Sequence, residues 1–186
     1  MHKLVPMAIF INDQRFSKSL TFYDSDLLNA HRLKPAFNIK NLNFIPKLKK
    51  IILNFQLKKY EFKHLIVILS ALKLISNVKT CKLISSKVSN INLKLRKGTP
   101  IGCKVVLKKN TMHSFLLKIL SFKLRFPSLK SKNKVFSFKI NNLLKFKKIE
   151  QNYKFFKFLP LLSINIVTNS KTKYVFVFLI KSYKFF

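Results

Sequence analysis

Hydrophobic and polar positions alternate along PKLKKIILNFQLKK, residues 46–59, with Ile51, Leu53, Phe55 and Leu57 on one side. Lys50, Ile52, Asn54, Gln56 and Lys58 fall on the other. Period two over this length predicts a half-buried strand with a mostly polar, positive outer face. Residues 61–75 change to helical spacing, with Phe62, Leu65, Ile66, Leu69 and Leu72 on one stripe and Ser76-Asn77 marking the end. Alternation returns from Val88 to Lys97, with Ile91, Leu93 and Leu95 inward and Asn92, Lys94 and Arg96 outward. Residues 101–108 answer it, placing Ile101, Cys103, Val105 and Leu107 on one side and Gly102, Lys104, Val106 and Lys108 on the other. The two runs read as adjacent strands joined through Gly98-Thr99-Pro100. Asn110 or Thr111 can then cap a helix built on Met112, Phe115, Leu116, Ile119 and Phe122 and ended by Pro127.

The flanks complete the pattern. Residues 22–37 predict a short helix that Asp24 or Ser25 can cap and Pro35 stops. SLKSKNK, 128–134, reads as a solvated loop; FSFKI (136–140), LLKFKKI (143–149) and LSINIVT (162–168) are strand-like. YVFVFLI, 174–180, is a strand by propensity, yet Asn169-Ser170 makes a plausible helix cap ahead of it, so both assignments stay open. No internal repeat is visible. The expected fold is α+β, an antiparallel sheet with helices packed on one face. Residues 22–186 are expected to form a single domain, preceded by an extension over 1–21.

Charge narrows the function. Thirty-eight Lys and Arg face five Asp and Glu, a formal net charge of +33. So strong a self-repulsion calls for a polyanionic partner, with nucleic acid the first candidate and an anionic membrane the second. The basic residues run from Lys3 to Lys184, so no separate basic tail carries them. Arg occurs only at 15, 32, 96 and 125. Lysine suits phosphate contact more than the bidentate reading of base edges, which favours backbone-dominated binding. Lys, Asn, Ile and Phe are residues of AT-rich codons, as expected of an organellar genome. That drift accounts for Lys over Arg, but not for the scarcity of acids.

Other classes are disfavoured. The most apolar run, LIVILSALKLIS at 65–76, is interrupted by Lys73 and is too short to span a bilayer, so membrane insertion is not expected. The N-terminus lacks a cleavage site and the acid-free character of a transit peptide, which fits a protein made in the compartment where it works. Cys81 and Cys103 are isolated, with no CxxC and no His at ligand spacing, and read as reduced core thiols rather than a metal site. The four histidines are scattered and the few carboxylates form no acid–base pair. No catalytic residue, metal or cofactor is expected. Most phenylalanines read as core, with Phe155, Phe156, Phe185 and Phe186 as possible exceptions available for base stacking.

The only two glycines, Gly98 and Gly102, both lie in LKLRKGTPIGCKVVL, 93–107. Gly98 suits a turn; Gly102, on the outward face, is either a turn residue or a bare spot that admits a partner's backbone. This stretch resembles the signature of large-subunit ribosomal protein five, K-I-R-x-G-x-P-I-G-C-K-V-T-L, matching at Lys94, Arg96, Gly98, Pro100, Ile101, Gly102, Cys103, Lys104, Val105 and Leu107. FIPKLKKIILNF (44–55) is similar to the family's V-P-R-V-x-K-I-T-L-N-M, matching Pro46, Lys50, Ile51, Leu53 and Asn54. FYDSDL resembles the family's opening helix, and LSINIVTNSKT resembles its near-terminal D-I-T-I-T-T-T-A-K. The departures are Gln56 to Lys58 in place of glycines, a shortened loop at SLKSKNK, and Val106 in place of Thr.

The resemblance implies the ribosomal protein five fold and a structural role in the central protuberance of the large subunit of a mitochondrial ribosome. It implies ribosomal RNA as partner, 5S rRNA or large-subunit rRNA, held by Lys50, Asn54, Gln56, Lys94, Arg96, Gly98, Gly102, Lys104 and Lys108. It further implies a loop near P-site tRNA carrying Ser86, Lys87 and Ser89. Neighbouring proteins of the central protuberance and a small-subunit head protein across the intersubunit bridge complete the expected partners. The expected location is the matrix side of the mitochondrion, with the chain organelle-encoded. The alternatives are a basic protein peripheral to a membrane and an RNA-processing factor of an organelle.

Overall fold

The computed structural model describes residues 45–57, 61–93, 95–122, 131–132, 135–170 and 172–183. The predicted helix at 22–37, the extension over 1–21, Lys94, Pro127, Phe185 and Phe186 lie outside the described residues. Period-two alternation becomes strand β1, Leu48–Gln56, whose Ile51, Leu53 and Phe55 are fully buried. Burial of each such side chain contributes about 1.5–3 kcal/mol. Helix α1, Phe62–Ser76, follows and ends where Asn77 takes a left-handed conformation (φ 55°). There the Asn77 N–H donates to the Lys73 carbonyl at 2.9 Å, satisfying a helix-end acceptor. Leu65 and Leu72 are core residues as expected, but the buried stripe continues through Ile68, Ala71 and Ile75. Phe62 and Ile66, expected on that stripe, are exposed.

The strand paired to the signature stretch is not 88–97. It is β2, Lys82–Ser85, antiparallel to β3, Pro100–Leu107. The register slips between Ile84 and Ser85, opposite Pro100, which has no N–H for the ladder. Residues 86–99 form an arm beyond the sheet, in which Ser86 and Thr99 pair, Gly98 donates to the Ser86 carbonyl at 3.0 Å, and Asn90 bridges Leu95. Its tip, residues 91–93, is a turn. Expected inward, Ile91 is 92% exposed and Leu93 is also exposed; only Leu95 is buried. The apolar alternation fails here because the segment pairs with its own upstream arm, past the covered part of the sheet.

Helix α2, Lys109–Ser121, buries Met112, Phe115, Leu116 and Ile119, as the spacing predicts. Thr111 Oγ1 accepts from the Lys108 N–H at 3.3 Å and donates back to the Lys108 carbonyl at 2.8 Å, so Lys108 stands at the cap position instead of Asn110 or Thr111. The short strand β4, Ser131–Lys132, falls inside the expected loop, and β5, Val135–Ile140, contains the predicted FSFKI. LLKFKKI is not a strand. It folds as a 3-10 turn, Leu143–Lys145, then helix α3, Lys147–Glu150, followed by α4, Tyr153–Phe156. Asn142 starts the first turn by accepting the Leu144 N–H at 3.0 Å, a local alternative to the ladder. Leu143, Phe146 and Ile149 are buried at helix-like three-residue intervals. Strand β6, Leu162–Thr168, forms where LSINIVT is strand-like and buries every second residue, and YVFVFLI is helical in α5, Lys173–Ser182. Thr172, not Asn169-Ser170, caps α5 by accepting the Val175 N–H.

The strands form one antiparallel sheet in the order β2-β3-β1-β6-β5-β4. Inward residues of β1, β3, β5 and β6 join the buried residues of the five described helices in one core. Phe146 knits it together, stacked 6.4 Å from Phe115 and edge-on 4.8 Å from Phe122. This is the expected α+β fold, with helices on one face. Among the described residues no helix is long and apolar enough to cross a membrane.

Candidate nucleic-acid interface

Residues directly opposite in an antiparallel ladder share a face, so the registers define the surface away from the helices. Asn54 pairs with Lys104 on one side and with Ser163 on the other. Lys104 in turn pairs with Lys82, and Ser163 with Lys139. Lys82, Lys104, Asn54, Ser163 and Lys139 thus form one transverse row across five strands, spanning about 19 Å at the usual strand spacing. The adjoining row is Val106, Ile52, Asn165 and Ser137. Lys82, Lys104, Lys139 and Ser137 are exposed, while Asn54, Ser163 and Asn165 are half-buried among them.

Asn54 carries a further signal. Its Oδ1 is buried and has no hydrogen-bond partner among the described residues. An orphaned acceptor costs about 1–3 kcal/mol, which a donor from outside would return. A ribose 2′-OH or a base amine supplies such a donor. Among the described residues no carboxylate shares the two rows, whose only ionisable side chains are lysines.

The expected site residues divide. Lys50, Asn54, Gln56 and Lys104 lie on this face, and Lys108 stands just past the end of β3 on the same parity. Arg96 is exposed but lies in the β2–β3 arm, off the sheet, and Lys94 is outside the described residues. Ser86, Lys87 and Ser89 are on the same arm, with Lys87 and Ser89 exposed.

Gly98 is the third residue of a turn in which the Thr99 N–H donates to the Arg96 carbonyl at 3.2 Å. Its φ is +89°, which a side chain disfavours, and a Cβ there would meet open space. The glycine is required by the turn that presents Arg96 and Lys97. Gly102 is not a bare spot on the surface. It is buried, and the space a Cβ would fill is occupied by the Phe55 backbone carbonyl of β1. The backbone it admits is the neighbouring strand, not a bare place left for a partner.

Lys82, Ser163, Asn165, Ser137 and Lys139 were not singled out from the sequence. For the last four the polar positions are visible in the alternation of LSINIVT and FSFKI, but only the strand order shows that all five fall on the row through Asn54 or the one beside it. Cys103 is buried on the opposite face, and burial, with a smaller contribution from nearby Cys81, pushes its thiol up to about 12. Cys81 is raised by burial against the opposing effect of Lys73. Neither thiol is activated. Among the described residues no group of three or more His, Cys, Asp or Glu side chains is placed to hold a metal.

No protein-family model matches the chain. It is similar to large ribosomal subunit protein uL5m of Reclinomonas americana, 36% identical over 149 residues, covering 74% of this chain and 80% of that protein. It is also similar to large ribosomal subunit protein uL5 of Clostridium acetobutylicum, 37% identical over 101 residues, 53% of this chain and 54% of that one. The same protein of Wigglesworthia glossinidia brevipalpis is 39% identical over 101 residues, 53% and 55% of the two chains. Against the two bacterial relatives the match thus spans about half of their length.

Proposed function

Because the chain belongs to the uL5 family, structural and non-enzymatic constituents of the large ribosomal subunit, we propose that its open sheet face is the surface that holds ribosomal RNA in an organellar ribosome. The observation that carries this reading is the row Lys82–Lys104–Asn54–Ser163–Lys139, at whose centre the buried Asn54 Oδ1 has no partner among the described residues. The lysines neutralise phosphates and release counterions, and Asn54 accepts from a sugar or base donor. Lys50, Gln56 and Lys108 extend the same contact. The RNA is 5S rRNA where the ribosome has one, and large-subunit rRNA otherwise, in the central protuberance.

The β2–β3 arm has a separate role in this proposal. Lys87, Ser89, Arg96 and Lys97 stand on an exposed arm beyond the sheet, and in this reading that arm meets P-site tRNA and a small-subunit head protein. The turn at Gly98 sets the direction of that arm. The mitochondrial matrix is the proposed location, and residues 1–21 the proposed extension that meets neighbouring proteins.

High-salt sedimentation of organellar extracts tests the reading. The chain is expected with the large subunit, and a density map of that particle is expected to show RNA against Asn54 and Lys104. Recovery only in free or membrane fractions, or binding to RNA-free anionic liposomes in a flotation assay without ribosome association, overturns it.

A further inference from the structure

The helical layer carries a feature that the open face does not explain. Helix α4 is a single turn within YKFFKFL, 153–159. Phe156 is buried in the core and anchors the turn. The aromatic rings around it face solvent: Tyr153 is 47% exposed, Phe155 76% and Phe158 78%. Exposed apolar side chains are ordinary when scattered, but these three fall within six residues. Phe155 and Phe158, three positions apart, lie on one side of the turn. Lys154 and Lys157 are exposed, each immediately before one of these two rings, and Lys157 Nζ sits 5.5 Å from the centre of the Phe158 ring.

The surroundings are strongly positive. Residues 143–161 hold five lysines and one acid, Glu150. In α3, Lys148 Nζ donates to Asn77 Oδ1 at 2.7 Å, which fixes its position at the end of α1. Burial, and secondly this Lys148, hold the Lys118 ammonium of α2 below its ordinary value. Like charges therefore crowd this side of the molecule at Lys118 and Lys148.

We propose that the α4 turn is a second RNA-docking surface, on which unstacked bases of a single-stranded segment stack against Phe155 and Phe158 while Lys154 and Lys157 neutralise the flanking phosphates. Aromatic rings interleaved with lysines match the stacking platforms of single-strand binders. A protein partner fits less well, because the buried centres of protein interfaces are depleted in lysine, and here a lysine separates each exposed ring from the next. The surface is distinct from the open face, since Phe156 belongs to the helical layer on the other side of the sheet. The chain would then join two RNA elements, one on each side.

The test uses the full chain with two probes at one salt concentration, an adenine-rich single strand carrying 2-aminopurine and a blunt RNA duplex of equal length. F155A/F158A is expected to weaken single-strand binding at least about tenfold and to abolish quenching of the 2-aminopurine, leaving duplex affinity within about twofold. F155Y/F158Y is expected to restore both. Both positions are exposed, so folding is not at issue. If F155A/F158A binds the single strand as the parent does while K104A/K139A binds the duplex more weakly, the α4 proposal falls and the open-face reading stands. Ultraviolet cross-links in intact large subunits that join residues 153–158 to protein and not to RNA also overturn it.

Discussion

At Gly98 and Gly102 one residue type serves two different physical needs. Gly98 is held by its dihedral and Gly102 by what lies next to it. Gly98→Ala is expected to cost roughly 1–2 kcal/mol through backbone strain alone. Gly102→Ala forces β1 and β3 apart against a backbone carbonyl, and about 1–3 kcal/mol is expected, with loosening of the ladder. Urea denaturation measures both, and amide hydrogen exchange at Phe55–Leu57 separates them: only the Gly102 variant should raise exchange there. Asn54 makes the opposite prediction. Removing an acceptor that has no partner among the described residues should leave the stability of the free chain unchanged or slightly higher. Asn54→Ala should nonetheless lose about 1–2 kcal/mol of RNA binding, measured by filter binding against the parent. A matching loss of stability would mean that Asn54 is satisfied inside the protein.

The element that departs most from its pattern is the arm between β2 and β3. Its residues alternate as a strand does, yet Ile91 and Leu93 stand in solvent and only Leu95 is covered. I91S/L93S is accordingly expected to change stability by no more than about 0.5 kcal/mol, whereas L95A should cost about 2 kcal/mol or more. Thermal and urea melts of the two variants check this, and equal losses would show that the tip is packed. LLKFKKI departs for a related reason. Read as i, i+2 the run is mixed, while Leu143, Phe146 and Ile149 are three apart and turn inward together. In α5 a strand-forming composition adopts a helix because Phe176, Leu179 and Ile180 reach the core only at helical spacing. Packing there overrides propensity.

Across the whole molecule the surplus of +33 acts at long range. Self-repulsion lowers the stability of the free chain at low ionic strength, and mobile ions screen it. The melting temperature of the RNA-free protein is therefore expected to rise as salt increases from about 0.01 to 0.2 M. RNA affinity over the same range should fall, with a log–log slope that decreases in magnitude by about 0.7–0.9 for each phosphate-contacting lysine removed. Calorimetry of the free chain and a salt titration of K104A and K139A measure the two trends. A melting temperature that falls with salt would show that attractive pairs dominate, in conflict with the charge balance.

Much of this protein is local and therefore written in its sequence. The two faces of β1, β3 and β6, the helical stripe of α2 and the stop at Asn77 follow from side-chain period and from caps that a few neighbouring residues form by themselves. The polyanionic partner follows from charge, which needs no fold, and the family from the run around Gly98 and Gly102. Strand order, register and coverage depend on residues far apart in the chain. They place Ser163 and Lys139 beside Asn54, press Phe55 against Gly102, and leave Ile91 and Phe155 uncovered. A periodic pattern states which side chains share a face, but which face is covered, and by what, is settled only when distant elements meet.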